Sequence, residues 1–492
     1  MGKTVVCACE DVTLSEVRRA FASGHRDLES VKRYTGFGTG PCQGKSCLNA
    51  VVKELLRLGA TPAEITPFTA RPPVQPVTFG TLAALDPSTL PIDEGVPVPP
   101  SPPPPRPAPS GPLPERADVV IVGGGILGLS LAWQLTLRGV RDVLVLDRGY
   151  LNGGASGRNG GGVRAQWSTP TMVRLGLRSL QLFRTFAGET GVNVWFRRGG
   201  YLFLAPDRAQ VERLERNLAI QRAQGMRTRI LSPDEACEVV PELDRNRFLA
   251  ASWNPDDGVV FPWPFLWGYA AGAEARGATV RTFTPVTGFG IQGGLIRTVE
   301  TPAGSVRCDT VVNACGAWSP EVARLAGVAL PNEPHRHEIL VSGPLKPWLG
   351  PLVSALGTGL YFSQSQRGEI VGGMGDPREP AGISHGSTLR FLARFSRALT
   401  EFAPITAGLP VMRQWAGCYD VTPDNNPILG PAGPANFFQL NGFVGHGFMM
   451  APAVAEIVAD ALTGRPRDEI LERFSLSRFA DGTAVREDFI IG

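Results

Sequence analysis

Four cysteines form the first set of residues able to do chemistry: Cys7 and Cys9 with one residue between them, and Cys42 and Cys47 with four. Four thiolates in a short segment are a ligand set for zinc or for an iron–sulfur cluster. Zinc ribbons commonly pair cysteines with two residues between them, so this spacing counts against zinc. The surroundings favour a cluster. Gly36, Gly38, Gly40 and Gly44 let the backbone approach closely and aim N–H donors at sulfur. Helices opening near Thr13 and Cys47 turn their positive ends toward an anionic group, and such interactions tune a cluster's potential. Cys237, Cys308, Cys315 and Cys418 stand alone and read as small buried apolar residues.

A second site begins at Gly123. Gly123, Gly125 and Gly128 have the G-x-G-x-x-G spacing, directly after the apolar run Asp118–Val122 and at the start of a helix. Asp147 ends the next apolar strand nineteen residues after Gly128. That is the context a dinucleotide requires: Gly123 for the tight turn, Gly125 for close pyrophosphate approach, Gly128 for helix–strand packing. The helix N-terminus meets the pyrophosphate, and Asp147 accepts from a ribose while disfavouring a 2′-phosphate. The long glycine-rich loop Gly153–Gly162 includes Ser156, Arg158, Asn159 and Gly160 and can lay backbone against a flat ring system. It points to FAD rather than NAD.

The elements that must position these residues fall into three regions. Residues 1–60 read as a small helical unit, with a Thr13–Glu16 capping box opening one helix and a second helix from about Cys47 to Leu58, stopped by Gly59. Residues 61–117 read as a proline-rich linker, extended and unable to pack a core. Residues 118–492 read as one large α/β unit. Strands at 118–122, 142–147 and 310–314 belong to a nucleotide-binding sheet, and stretches 167–249 and 330–412 belong to an interleaved substrate domain. Ser232 and Glu235 form another capping box, with Pro233 at the first helical position.

The 492 residues carry a net charge of +3 without blocks of like charge, so neither nucleic acid nor an anionic membrane is an expected partner. No secretory signal and no membrane span is read, the apolar run Phe448–Leu462 being a buried helix, and the expected compartment is the cytosol.

By Cys7-Ala8-Cys9-Glu10-Asp11-Val12-Thr13 and Gly40-Pro41-Cys42-Gln43-Gly44-Lys45-Ser46-Cys47, the first sixty residues resemble the bacterioferritin-associated-ferredoxin type of 2Fe–2S domain. The glycine turn and loop, with Thr422–Gly430 and Asn441–Met450, make residues 118–479 similar to the D-amino-acid oxidase superfamily. Within it they most resemble the β-subunit type of heteromeric sarcosine oxidases and the proline, hydroxyproline and opine dehydrogenases. The resemblance implies a glutathione-reductase-like FAD domain beside a mixed-sheet substrate domain. It places Asp424 with the cofactor, and Gly445, His446 and Gly447 facing the flavin. A helix N-terminus there would stabilise negative charge on the reduced ring.

The implied reaction is oxidation of a C–N bond in a small amine or amino acid. Sarcosine-oxidising relatives place a carboxylate-binding arginine where Arg164 stands, and Tyr361, Arg413 and Tyr419 are further candidates. Departures from the family are informative. The flavin-linking cysteine aligns with Gly417, so FAD is expected to be non-covalent. A lysine of the monomeric sarcosine oxidases is replaced by Met449, and Phe261–Tyr269 contains no histidine for a second flavin. A one-electron cluster beside a two-electron flavin favours a dehydrogenase passing electrons to an acceptor or partner subunit. The alternatives are a glycerol-phosphate-type dehydrogenase and a non-catalytic electron-transfer subunit.

Overall fold

Two large sheets divide the work, and their strands interleave along the chain. The computed structural model describes residues 3–40, 42–65, 68, 71–92, 112–151 and 153–490. The first sheet runs in the order Thr279–Arg281, Val143–Leu146, Arg116–Val122, Gly304–Asn313, Leu295–Thr301, Gly288–Gln292. The strand Phe437–Asn441 adds to the end of Gly304–Asn313 and pairs with Ile428–Pro431. The three strands that carry the glycine turn and its neighbours are parallel and apolar, as strands covered on both faces must be. Helices Ile126–Leu137, Pro262–Glu274 and Gly447–Leu462 pack together on one face, where Leu129, Leu131, Phe265 and Val454 are fully buried.

The second sheet has nine strands and is mixed. Its order is Val77–Thr78, Pro410–Val421, Glu333–Pro344, Glu369–Met374, Leu360–Gln364, Leu352–Ala355, Tyr201–Ala205, Ala250–Asn254, Arg229–Leu231. Only Leu352–Ala355 and Tyr201–Ala205 pair in parallel. Alternation gives the sheet two working faces. Leu340, Phe362 and Ile370 join the apolar cluster completed by helix Leu389–Phe402. On the opposite face, Ile339, Tyr361 and Val371 meet the glycine loop at Gly160.

Apart from Val77–Thr78, this sheet spans 201–254 and 333–421, starting later and ending later in both stretches than the expected 167–249 and 330–412. The boundary at 167 differs because helix Pro170–Thr190 packs against Gly447–Leu462 of the nucleotide side.

The N-terminal unit has both expected helices, Leu14–Ala22 with its Thr13–Glu16 capping box and Leu48–Arg57. A third, Leu28–Thr35, is capped by Asp27 and ended by Gly36 in the left-handed region. The linker expectation needs correction over 77–83. Val77–Thr78 pairs with Pro410–Val411, and Phe79–Ala83 is a short helix that buries Phe79 and Leu82 in the second core. Thr78 caps that helix, so a local cap and two apolar residues override the surrounding prolines. The densest proline stretch, 93–111, lies outside the described residues. Among the described residues no helix is long and apolar enough to cross a membrane.

Candidate active site

The glycine turn has the geometry its sequence requires. Gly123 sits at φ +110°, and a Cβ there would overlap the carbonyl oxygen of Ala314. A Cβ on Gly128 would overlap the carbonyl oxygen of Gly123. Gly125 opens the helix without a side-chain cap, and Ser156 Oγ, 3.0 Å away, accepts from the Ile126 N–H instead. Asp147 accepts from Gly124 N at 2.8 Å and Gly149 N at 2.7 Å, while burial raises its carboxyl above the usual range. These residues fit a dinucleotide: an unobstructed helix start, a serine hydroxyl beside it, and a carboxylate at the neighbouring strand end.

The glycine loop is clamped rather than free. Arg158 donates from Nε to Gly153 O and from Nη1 to Ala416 O, both at 3.0 Å. Asn159 donates to Ser156 O and accepts from Gly161 N, while Trp263 and Trp415 donate their indole N–H groups to Gly157 O and Arg158 O. Gly160 rests against Ile339 and Tyr361, which brings the loop onto the mixed sheet. Asp424 has both carboxylate oxygens engaged by Arg478, at 2.8 and 2.9 Å, so it acts on the site through what it holds.

All three residues expected to do chemistry lie in one buried region. Arg164 is 1% exposed, with its guanidinium 3.7 Å above the Trp167 ring and Nη2 at 3.5 Å from His446 Nε2. Nη1 donates to Gln166 O and Nη2 to Phe489 O, leaving Nε buried without a partner. Tyr361 Oη lies 3.1 Å from His337 Nε2 and also hydrogen-bonds Tyr419. The His337 ring stacks on Tyr419 at 4.4 Å and 8°, and Tyr419 in turn covers Gly445, where a Cβ would strike its ring. Gly447 begins the helix behind His446, whose ring meets Trp167 edge-on at 4.7 Å. Arg413 lies elsewhere, buried among Glu10, Glu369 and Arg367 at the seam with the N-terminal unit.

Sequence reasoning passed over His337 and Phe489. His335 and His337 are two of only five histidines, alternating within an apolar strand, which was a signal that one could line a site. Phe489 offered no periodicity at all.

Burial holds both imidazoles neutral, pushing His337 down to about 3 and His446 well below its ordinary value with help from Arg164. The folded His337 resists protonation while the unfolded chain accepts a proton below about pH 6.5. Its contribution to stability is therefore complete above about pH 6.5 and is lost as pH falls toward 3. Relative to His337→Gln, the parent protein should lose about 1.4 kcal/mol per pH unit below 6.5. Denaturant melts of both proteins at pH 7.5, 6 and 5 check this, and a constant difference between them would contradict it.

The four cysteines gather at the N-terminal unit's contact with the rest of the chain. Cys9 accepts a backbone hydrogen bond from Cys42, and Cys47 hydrogen-bonds Cys7; burial, then Cys7 and Cys42, push Cys47 up to about 12. The sulfurs thus associate as pairs, and among the described residues no three Cys, His, Asp or Glu side chains enclose a metal-ion position. Cys9 and Cys42 are followed by residues that grip the large unit. Glu10 pairs with Arg367, and Gln43 Nε2 donates to Met412 O at 2.5 Å and Pro73 O at 2.9 Å. Tyr34 packs on Trp267 at 5.0 Å, and Arg33 lies 4.4 Å over Tyr150.

The turn and loop together make a dinucleotide cradle that ends against a cluster of aromatic and imidazole side chains, His337, Tyr361 and Tyr419, on a second sheet. That division of labour defines a two-domain flavin-dependent oxidoreductase. The chain belongs to the FAD dependent oxidoreductase family (DAO), which residues 118–461 match. It is an FAD-dependent enzyme of the amine and amino-acid oxidoreductase type. Residues 1–86 match the sarcosine oxidase A3 domain.

Sarcosine oxidase subunit beta of Rhodobacter capsulatus is 30% identical over 387 residues, covering 77% of this chain and 92% of its own. Mitochondrial dimethylglycine dehydrogenase of Mus musculus is 28% identical over 385 residues, covering 73% of this chain and 44% of its own. Among solved structures, L-proline dehydrogenase from P. horikoshii is similar at TM-score 0.73 and 36% identity, covering 76% of this chain and all of its own.

Proposed function

We propose that the enzyme oxidises the C–N bond of a secondary amine or amino acid of the proline, hydroxyproline, sarcosine or opine class. Arg164 is the observation that carries this reading: among the described residues no carboxylate hydrogen-bonds its buried guanidinium, and its Nε–H has no partner. Burying a guanidinium without a contacting anion is costly unless a ligand supplies the anion. Relatives named for sarcosine, dimethylglycine and L-proline support the substrate class.

FAD held by Gly123, Gly125, Gly128, Asp147, Ser156, Arg158, Asn159, Gly160, Gly445 and Gly447 supplies the two-electron acceptor for hydride from the carbon beside nitrogen. Arg164 takes the substrate carboxylate. His446, His337, Tyr361 and Tyr419 are neutral and line the space next to it, so an amine bound there is stabilised as the free base. His337 is buried and Tyr361 and Tyr419 are half-buried, so the His–Tyr stack limits the water that reaches the reacting carbon. Because burial keeps the His337 and His446 imidazoles neutral, kcat/KM should rise about tenfold per pH unit up to the substrate's own ammonium pKa, with no break near 6.5. A break near 6.5 in rapid-mixing rates would contradict the neutral histidines.

The reading extends to the first unit. We assign Cys7, Cys9, Cys42 and Cys47 to a 2Fe–2S cluster in a 1–60 domain, joined to an oxidoreductase domain at 118–492 through 61–117, of which 77–83 packs into the second sheet and its core. Paired thiols from two loops support it, as does Gly40, where a Cβ would overlap Cys9 Cβ. Such a cluster supplies a one-electron carrier. An acceptor or partner subunit completes the assignment, since one relative is itself named as a subunit. A cytoplasmic setting agrees with Cys237, Cys308, Cys315 and Cys418 standing outside any disulfide.

Anaerobic stopped-flow absorbance against proline, hydroxyproline, sarcosine, an opine, glycine and glycerol phosphate tests the reaction. Iron and acid-labile sulfide analysis tests the cluster independently. Flavin bleaching by one of the amines, with two iron per chain, is expected. Bleaching by glycerol phosphate alone, or by nothing, would overturn the substrate class, and iron-free protein would overturn the cluster.

A further inference from the structure

Residues 485–490 form neither helix nor strand, yet they are fastened at several points inside the large unit. Glu487 is fully buried, and its carboxylate accepts from Ser168 N and Ser168 Oγ, from Thr169 Oγ1 at 3.3 Å, and from Phe489 N at 2.9 Å. Its N–H donates to Asp424 O at 3.0 Å and its carbonyl accepts from Asn425 Nδ2 at 3.2 Å. Asn426 Nδ2 donates to Val485 O at 2.7 Å. A segment so held has been paid for in conformational entropy, and what it inserts is Phe489.

Phe489 is 0% exposed. Its ring packs on Phe203 at 4.5 Å, the Arg164 guanidinium carbon lies 5.3 Å over it, and its carbonyl accepts from Arg164 Nη2 at 2.7 Å. The arginine is thus held between the Trp167 face and the Phe489 ring, with Gln166 O and Phe489 O spending two of its nitrogens. Both partners are neutral oxygens. They fix the fork's direction and leave its charge intact, whereas a protein carboxylate would fix it and cancel it. The two nearby carboxylates are diverted: Asp257 to Ala165 N, Gln166 Nε2 and Asn254 Nδ2, and Glu487 to Ser168 and Thr169.

We infer that residues 485–490 are a wall of the substrate site and that Phe489 is a positioning residue, orienting Arg164 so that its unspent donor edge receives the substrate carboxylate. The inference rests on the reading that Arg164 binds that carboxylate.

The test uses FAD-loaded enzyme in the oxidised state, titrated with acetate and, separately, with pyrrolidine, following the flavin visible spectrum. Phe489→Ala should weaken acetate about tenfold, the scale of one charge-assisted hydrogen bond, and leave pyrrolidine unchanged. Phe489→Leu, which keeps most of the apolar bulk, should weaken acetate by about threefold, and it carries the test should the alanine variant not fold. Arg164→Gln separates the two ideas. If it abolishes the acetate response while both Phe489 variants match the parent, the positioning role is wrong and the arginine assignment stands. If Arg164→Gln leaves acetate affinity unchanged, the carboxylate reading falls and this inference falls with it. Equal weakening of acetate and pyrrolidine would reduce Phe489 to a general packing role and overturn the proposal.

Discussion

Gly128→Ala is expected to yield protein that retains little FAD, with flavin content reduced at least about tenfold, because overpacking at a turn costs on the order of 1–3 kcal/mol or more. The added Cβ would overlap the carbonyl oxygen of Gly123 and lie 3.1 Å from Ile121 Cγ2. Neither obstacle is a side-chain end that can swing away. One is the backbone of the turn itself, and the other belongs to the buried strand Arg116–Val122. Relief requires the helix Ile126–Leu137 to lift from that strand, which displaces the Gly124, Gly125 and Ile126 N–H groups together. Gly123, at φ +110°, cannot absorb the shift, since its own Cβ position is filled by Ala314 O. Gly125→Ala separates helix displacement from cofactor contact: within the protein its Cβ meets only Ser156 Oγ, at 3.2 Å, so flavin lost there would reflect the pyrophosphate approach rather than a lifted helix. The flavin-to-protein absorbance ratio after gel filtration reads the outcome. Parent-level flavin in Gly128→Ala would show that the helix does not need this contact.

That turn was legible because every constraint on it is local. Three glycines, a preceding apolar run and Asp147 lie within about thirty residues, and backbone sterics alone assign each a task. The capping boxes at Thr13 and Ser232 were legible for the same reason, and both helices start where their caps predict. The substrate side is different. His337, Tyr361 and Tyr419 come from three strands whose neighbours are set by the register of a nine-stranded mixed sheet. Alternation places each on a face, but no spacing in the sequence says that Tyr419 stacks on His337 rather than on another residue. The docking of the N-terminal unit was illegible too, because Glu10–Arg367 and Gln43–Met412 are single contacts between segments hundreds of residues apart. The short helix Phe79–Ala83 was hidden by composition: prolines on either side dominate a window in which only Thr78, Phe79 and Leu82 carry signal.

Asp424 illustrates how a motif can be found before its physical role is visible, and it leads to the second large effect. Arg478→Ala should destabilise the protein by about 3–5 kcal/mol, the range for breaking one side of a buried ion pair. The pair is bidentate, with side chains 2% and 6% exposed, and Arg478 also donates to Phe474 O, Ser475 O and Asn426 O. Removing the guanidinium leaves the Asp424 carboxylate buried with the Asn426 N–H at 3.2 Å as its remaining hydrogen bond among the described residues. Arg478→Met combined with Asp424→Leu should recover much of the loss, because no charge is then left uncompensated. The consequence extends to the active site. Asp424 O receives the Glu487 N–H and Asn426 holds Val485, so the loop that Arg478 braces is the anchor of the segment carrying Phe489. Under conditions where Arg478→Ala remains folded, its acetate affinity should fall with its stability, while in the double variant stability should recover further than acetate affinity. Denaturant melts and flavin-perturbation titrations on the same preparations decide it. An Arg478→Ala protein as stable as the parent would mean that the pair is offset elsewhere in the fold, and would remove the link between the Asp424 loop and the substrate site.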